Sequence, residues 1–259
     1  MQKLSIKNTL FLLVTIFSWS VSTYAQVSIE NLRTDESKGF HNQIDFKLGL
    51  QAGNTNENAL KSYVRTDYIS DELNSFVIVD YKKAAHDGVI FAEKGFLHLR
   101  AGIPINETQT IEYFVQKEFN EFIAIQDRTL FGASLRISPY NSISKETGAG
   151  FQYYFGIGGM YENEIMTAGI AETRLFRSTN YLSCIWYPKK HIGISSVVYY
   201  QPNIQNFNDF RILATGEIEV SVVENISLVI DAKFRFDKDP PVGIGGYDLE
   251  VNNGLKIRF

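Results

Sequence analysis

The sequence lacks the long apolar runs that membrane-spanning helices require. A helix that crosses a bilayer needs roughly 18 to 20 consecutive apolar residues. This 259-residue chain has no such run after its first 22 residues. The absence excludes a bundle of membrane helices. It does not exclude a β-barrel, because the strands of a barrel are apolar on only one face.

Cysteine, proline and excess basic charge are also scarce. The single cysteine, Cys184, excludes an intrachain disulfide and a cysteine-based zinc site. The formal net charge of −4, without a basic cluster, predicts no nucleic-acid partner. The chain has only six prolines and an aromatic content of 14%, a composition that favours β-strands.

The motifs of common enzymes and cofactor sites are missing as well. The sequence contains no GxSxG, HExxH, P-loop or GxGxxG stretch. Of the four histidines, only His98 falls on the polar face of a predicted strand, where we expect it to form a hydrogen bond in the lumen. We therefore predict no catalytic residue, no cofactor and no metal, and we expect that the protein is not an enzyme.

The first 25 residues have the three parts of an export signal. Lys3 and Lys7 precede an apolar run over residues 10–21, and small residues stand just before the expected cleavage point. This order predicts a cleaved signal peptide at 1–25, followed by a polar periplasmic lead-in at 26–38. Together with the strand pattern that follows, it predicts that the protein is located in the cell outer membrane.

Over residues 39–259, apolar and polar side chains alternate in one segment after another. The last segment has Tyr247 and Leu249 on one face and Asp248 and Glu250 on the other. Segments of this length and pattern are typical of membrane strands. They predict an all-β fold, an antiparallel up-and-down transmembrane β-barrel of about 12 strands with both termini in the periplasm. The predicted strands cover residues 40–52, 58–69, 74–82, 94–103, 111–120, 128–138, 148–162, 174–186, 192–201, 210–220, 226–236 and 247–259, with a longer connection at 83–93.

Alternation alone does not say which face lies inside, because a soluble β-sandwich would bury its apolar faces. The polar faces of the seven cleanest strands hold nine basic and eight acidic residues. Such a balanced set can pair across neighbouring strands inside a barrel. We therefore predict that these charged residues face the lumen. They are Asp45, Lys47, Arg100, Glu112, Glu118, Arg128, Arg136, Arg211, Glu217, Glu219, Asp231, Lys233, Arg235, Asp248, Glu250, Lys256 and Arg258.

Aromatic residues on the apolar faces gather near the two ends of the predicted strands. Two aromatic girdles are typical of the two interfaces of a bilayer. They predict contact with outer-membrane lipid and lipopolysaccharide. The predicted periplasmic girdle holds Phe40, Tyr68, Trp186 and Phe259, and the predicted outer girdle holds Tyr81, Phe119, Tyr161, Tyr200, Phe210, Phe236 and Tyr247.

Six short segments, in this order, resemble a bacterial family called salt-induced outer-membrane proteins, a domain of unknown function. They read GNTNENAL, FVQKEFNEF, RTLFGASLR, GGMYENE, YYQPN and NGLKIRF. The similarity covers about residues 29–259 and implies an outer-membrane barrel, with no catalytic or binding residues to carry over. Resemblance to other barrel termini implies that Phe259 is the assembly signal for the outer-membrane barrel assembly machinery.

Two functions of different classes remain open. The first is a barrel of unknown specific role that acts as a small passive channel for ions or solutes, or as a structural, stress-associated surface protein. A barrel of about twelve strands has an interior between those of filled eight-stranded barrels and wide porins, so we expect a narrow or gated pore bridged by ion pairs. The alternative is a lipid-acting enzyme of the outer membrane, with His86 as a candidate residue.

Overall fold

The computed structural model describes residues 38–51, 57–144, 146–166, 172–240 and 243–258. Within these ranges the chain forms twelve strands and one short 3-10 helix at Glu121–Ile123. No helix in this described part is long and apolar enough to cross a membrane. The strands are β1 Gly39–Gln51, β2 Glu57–Ile69, β3 Asn74–His86, β4 Val89–Pro104, β5 Gln109–Asn120, β6 Ile125–Asn141, β7 Gly150–Met166, β8 Thr173–Lys189, β9 Ile192–Asn203, β10 Asn206–Val223, β11 Ile226–Asp237 and β12 Tyr247–Arg258.

Every strand pairs antiparallel with its neighbours in chain order, and β12 returns to β1 to close a barrel. At this closure Ile44 of β1 stands opposite Ile257 of β12. The predicted up-and-down barrel of about twelve strands is confirmed. The predicted signal peptide at 1–25 lies outside the described residues, as does the lead-in at 26–38 apart from Lys38.

The two faces of each strand differ in chemistry. On β4, Leu97, Leu99 and Ile103 are exposed, whereas His98 and Arg100 are buried. Apolar side chains therefore cover the outside of the barrel, where the hydrocarbon of a bilayer can solvate them. A soluble sandwich would have the reverse arrangement. The fold is a transmembrane barrel, whose closed ladder satisfies the backbone hydrogen bonds within the membrane.

Aromatic side chains on the outer surface cluster near both ends of the barrel. We call the end at which β1 begins and β12 ends the lower end, and the opposite end the upper end. At the lower end, the ring centroids of Phe40 and Tyr68 lie 4.9 Å apart. At the upper end, the ring of Phe210 lies 5.7 Å from those of Tyr200 and Phe236. Both groups belong to the predicted girdles.

The predicted long connection at 83–93 is wrong. β3 continues to His86 and β4 begins at Val89, so a two-residue turn joins them. Asp87 and Gly88 both have positive φ angles, 49° and 79°. Two positive φ angles fit a type I′ hairpin turn, for which Asp-Gly is a preferred pair. Strands that extend beyond the bilayer need no apolar alternation, which is why the pattern missed the ends of both strands.

Candidate functional site

Charged side chains from strands that are not neighbours meet inside the barrel. Arg211 of β10 lies 2.6 Å from Glu162 of β7, although β8 and β9 separate these strands in the sheet. Lys94 of β4 likewise lies 3.2 Å from Glu250 of β12. Such contacts have to pass through the interior of the closed barrel, so these ionisable residues line the lumen.

Glu162 is the central carboxylate of the largest group of interior charges. It accepts hydrogen bonds from three arginines, at 2.6 Å from Arg128, 3.2 Å from Arg177 and 2.6 Å from Arg211. Its side chain is 0% exposed. A fully buried carboxylate needs such partners, because an unpaired charge in a low-dielectric interior is strongly unfavourable. Glu162 therefore holds β6, β8 and β10 together through the lumen.

Further ion pairs extend this group around the upper end of the barrel. Arg128 also donates to Glu118 at 3.1 Å, and Arg211 donates to Asp237 at 2.8 Å. Arg235 donates to the same Asp237 at 2.9 Å. We call the whole set the arginine cluster; it consists of Arg128, Arg177, Arg211 and Arg235 with Glu118, Glu162, Glu164, Asp209, Asp237 and Asp248.

A second group of charges surrounds Glu112, closer to the lower end. The Glu112 carboxylate accepts a hydrogen bond from the Tyr181 hydroxyl at 2.8 Å and one from the Ser134 hydroxyl at 3.3 Å. Arg100 and Arg136 lie 3.3 Å and 3.6 Å from its two oxygens. Tyr181 reaches Glu112 from β8 while Glu112 belongs to β5, so this group also bridges the lumen.

His98 lies between these two groups and is fully buried. Its Nδ1 is 3.0 Å from the side-chain oxygen of Gln116. Its ring stacks between those of Phe76 and Phe114, with centroid distances of 5.8 Å to each. His98 therefore forms a hydrogen bond inside the barrel, the role expected for it.

Apolar clusters lie in the lumen beside the ion pairs. The sequence predicts a lumen bridged largely by ion pairs and does not predict these clusters. The largest lies on β7 to β10, and Gly156 makes room for it, because a Cβ there would collide with the ring of Tyr181. Side chains of this size narrow the interior. The three clusters are Tyr154, Tyr181, Ile185, Val197, Tyr199 and Leu213; Phe76, Ile78 and Phe96; and Phe114, Leu130 and Met160.

A group of lysines lies in the lumen near the upper end, on β2, β3, β4 and β11. We call Lys61, Lys82, Lys94 and Lys233 the lysine cluster. The carboxylate of Glu250 lies 3.5 Å from Lys61 and 3.2 Å from Lys94. Near the lower end, by contrast, a single lysine pairs with two carboxylates of β10, since Lys256 lies 2.5 Å from Glu217 and 3.0 Å from Glu219.

The predicted lumen-facing charges are distributed over all of these groups. Phe259 and the side chains of Lys47 and Arg258 lie outside the described part of the structure. The other predicted residues are buried or half-buried. These are Asp45, Arg100, Glu112, Glu118, Arg128, Arg136, Arg211, Glu217, Glu219, Asp231, Lys233, Arg235, Asp248, Glu250 and Lys256.

The sequence prediction missed several interior charges. Most of them lie on strands outside the seven that it counted, whereas Lys94 begins the counted strand 94–103, and Asp209 and Asp237 flank the counted strands 210–220 and 226–236. Glu162 and Glu164 are one example: they continue the inward face of β7 that begins with Gln152, so alternation alone could have found them. The missed residues are Lys61, Arg65, Asp80, Lys82, Lys94, Glu162, Glu164, Arg177, Asp209 and Asp237.

The candidate residue for a lipid-acting enzyme lies at the β3–β4 hairpin. His86, the candidate for a lipid-acting enzyme, lies at the end of β3 with its Nε2 3.4 Å from the Asp87 carboxylate in the hairpin turn. In the same described ranges, no group of three or more His, Cys, Asp or Glu residues could hold a metal ion.

Comparison with known proteins relates this chain to other barrels by fold. Neither a family model nor a curated protein matches the sequence. Among solved structures, the NanC porin aligns over 85% of this chain and 99% of its own, with a TM-score of 0.50 and 5% identity. The KdgM porin aligns over 85% and 98%, with a TM-score of 0.41 and 8% identity. A bacterial polysaccharide outer membrane secretin aligns over 87% and 100%, with a TM-score of 0.47 and 10% identity.

The NanC likeness shows that the fold is that of an outer-membrane, porin-like β-barrel. At 5% identity it extends to the fold alone. The resemblance to the family of salt-induced outer-membrane proteins stays a prediction.

Proposed function

We propose that the protein is a narrow channel of the outer membrane for small ions or solutes, with both termini in the periplasm. The observation that carries the proposal is the belt of ionisable side chains that crosses the lumen from non-neighbouring strands, as in the contact between Arg211 and Glu162. A barrel that served only as a scaffold could fill its interior with apolar side chains at a lower desolvation cost. The polar interior therefore favours a conducting role.

Several buried polar atoms support a hydrated lumen. The Oδ2 of Asp80, the Oε1 of Gln201, the Oγ1 of Thr215 and the Nε of Arg235 have no hydrogen-bond partner among the described residues. Buried polar groups are almost always satisfied by protein or by ordered water. These atoms lie on β3, β9, β10 and β11, so they are spread over much of the interior.

The arginine cluster sets the expected conductance. Its side chains meet near the upper end, and the aromatic side chains below them also narrow the interior. We therefore expect a pore of small conductance, much below that of an open porin. Movement of the arginine cluster would be the step that opens it.

Recordings from the purified, refolded protein in a planar bilayer test this proposal. We expect small, discrete current steps whose frequency rises with protein concentration. A heat-denatured sample of the same preparation is the control. A folded protein that produces no steps over a wide range of voltages contradicts the proposal and favours a structural role. Hydrolysis of lipid by a non-conducting preparation would instead favour the enzyme.

A further inference from the structure

A row of lysines occupies directly opposed positions on neighbouring strands near the upper end of the lumen. Lys61 of β2 stands opposite Lys82 of β3, which stands opposite Lys94 of β4. Lys47 of β1 holds the backbone position opposite Lys61. Like charges directly opposite one another destabilise a sheet. The row therefore requires negative charge from elsewhere in the lumen.

Glu250 supplies part of that charge from β12. Its carboxylate lies 3.5 Å from Lys61 and 3.2 Å from Lys94. Lys233 stands directly opposite Glu250 on β11 and adds a further positive charge to the same place. The Asn252 amide donates to Glu250 at 3.0 Å and fixes the orientation of its carboxylate.

The four lysines of the cluster share one carboxylate, because all of them act electrostatically on Glu250. Three further carboxylates, Asp80, Asp231 and Asp248, act on members of the cluster. Ammonium groups in directly opposed positions repel one another, so an added anion between them is favourable.

The arginine cluster is rich in carboxylates. It contains six carboxylates for four guanidinium groups, and its guanidinium forks are engaged by carboxylates of the protein itself. Lysine ammonium groups, in contrast, are compact, hydrated point charges that suit phosphate. Of these two clusters, the lysine cluster is the one whose chemistry suits a phosphate.

The lysine cluster lies toward the upper end of the lumen and is partly exposed. The side chain of Lys61 is 16% exposed, and Lys82 is half-buried. The hairpin turn begins at Asp87, five residues after Lys82. This separation corresponds to roughly 16 Å along the strand. The cluster is thus close to the mouth of the barrel.

We infer that the lysine cluster is a binding site for the phosphate group of a small anionic solute. The inference deepens the proposed channel function by naming the class of solute, and it rests on that function for its physiological meaning. The ammonium groups of Lys61, Lys82 and Lys94 surround the phosphate, and Glu250 holds two of them in place.

Calorimetric titration of inorganic phosphate into the folded protein in detergent, at constant ionic strength, tests the site. We expect saturable binding that Lys82→Gln weakens by about tenfold or more, since one of the ammonium groups that bind the phosphate is lost. Lys82→Arg, which keeps the charge, should retain binding. Lys117→Gln is the matched control, because Lys117 is exposed on the outer surface and pairs with Asp127 at 2.6 Å. Folded electrophoretic mobility confirms that each variant is intact.

Three outcomes would overturn the site. They are the absence of phosphate binding to the wild type, an affinity that is unchanged in Lys82→Gln, and an equal loss in Lys117→Gln. Binding only to vesicles that contain lipopolysaccharide, and not to inorganic phosphate, would overturn the free-solute assignment in favour of a lipid phosphate. The titration measures binding independently of any current. A protein that conducts ions but does not bind phosphate would refute the site alone. A protein that binds phosphate but does not conduct would refute the channel alone.

Discussion

Replacement of Glu162 by glutamine should destabilise the barrel more than any equivalent change on its surface. The substitution preserves the size of the side chain and removes its charge. Glu162 accepts hydrogen bonds from Arg128, Arg177 and Arg211, so the three guanidinium groups lose a common counter-charge in a buried place.

The expected magnitude follows from the burial of the arginine cluster. Removal of one partner from a buried ion pair costs about 3–5 kcal/mol. Hydrogen bonds to a charged group contribute about 1.5–3 kcal/mol each. These contributions do not add fully here, because Arg128 keeps Glu118 and Arg211 keeps Asp237. We expect the free energy of unfolding to fall by about 3–5 kcal/mol.

Urea unfolding in detergent micelles or lipid vesicles measures this loss. Trp186, exposed on the outer face of β8, is the only tryptophan of the predicted mature chain and reports the transition by fluorescence. Glu172→Gln is the matched control, because Glu172 and its partner Arg174 are exposed, and it should leave the free energy of unfolding unchanged. An equal effect of the two substitutions would refute the buried ion-pair reasoning. Glu162→Gln should also raise the single-channel conductance, since the arginine cluster loses its centre.

Two further substitutions test other parts of the structure. Tyr181→Phe removes the hydroxyl that donates to Glu112 at 2.8 Å and should lower the free energy of unfolding by about 1–3 kcal/mol. Tyr140→Phe, at an exposed ring, is the control. An equal loss of stability in both variants would contradict the role of the buried hydrogen bond. Gly88→Ala places a side chain at a φ of 79° in the hairpin turn. It should lower the free energy of unfolding by about 1–2 kcal/mol in the same assay. An unchanged stability would contradict the type I′ turn.

The fold could be predicted because each strand carries its own signal. An apolar face on every second residue, as at Leu97 and Leu99, identifies a membrane strand from its own few residues. The order of strands then follows, since short connections join antiparallel neighbours. The β3–β4 hairpin was missed, because the outer ends of the strands leave the bilayer and lose the alternation. Asp87 and Gly88 carried the signal for the turn there.

The interior contacts could not be predicted in the same way. That Arg211 meets Glu162 depends on the tilt and stagger of the closed barrel, which bring strands β7 and β10 together across the lumen. The row from Lys61 to Lys94 depends on the register of three strands, and a shift of one residue would turn each lysine to the outer face. Alternation shows which residues face inward, but it does not show which of them meet.

Modification of single cysteines during current recording tests the channel most directly. Asn252 of β12 is half-buried on the face that lines the lumen, whereas Cys184 of β8 lies on the outward face of its strand. A charged methanethiosulfonate reagent added to an Asn252→Cys, Cys184→Ser variant should reduce its single-channel current. The same reagent should leave the wild type, with its native Cys184, unaffected. If the current of the variant does not change, or both proteins respond alike, the ions do not pass through the lumen and the account is contradicted.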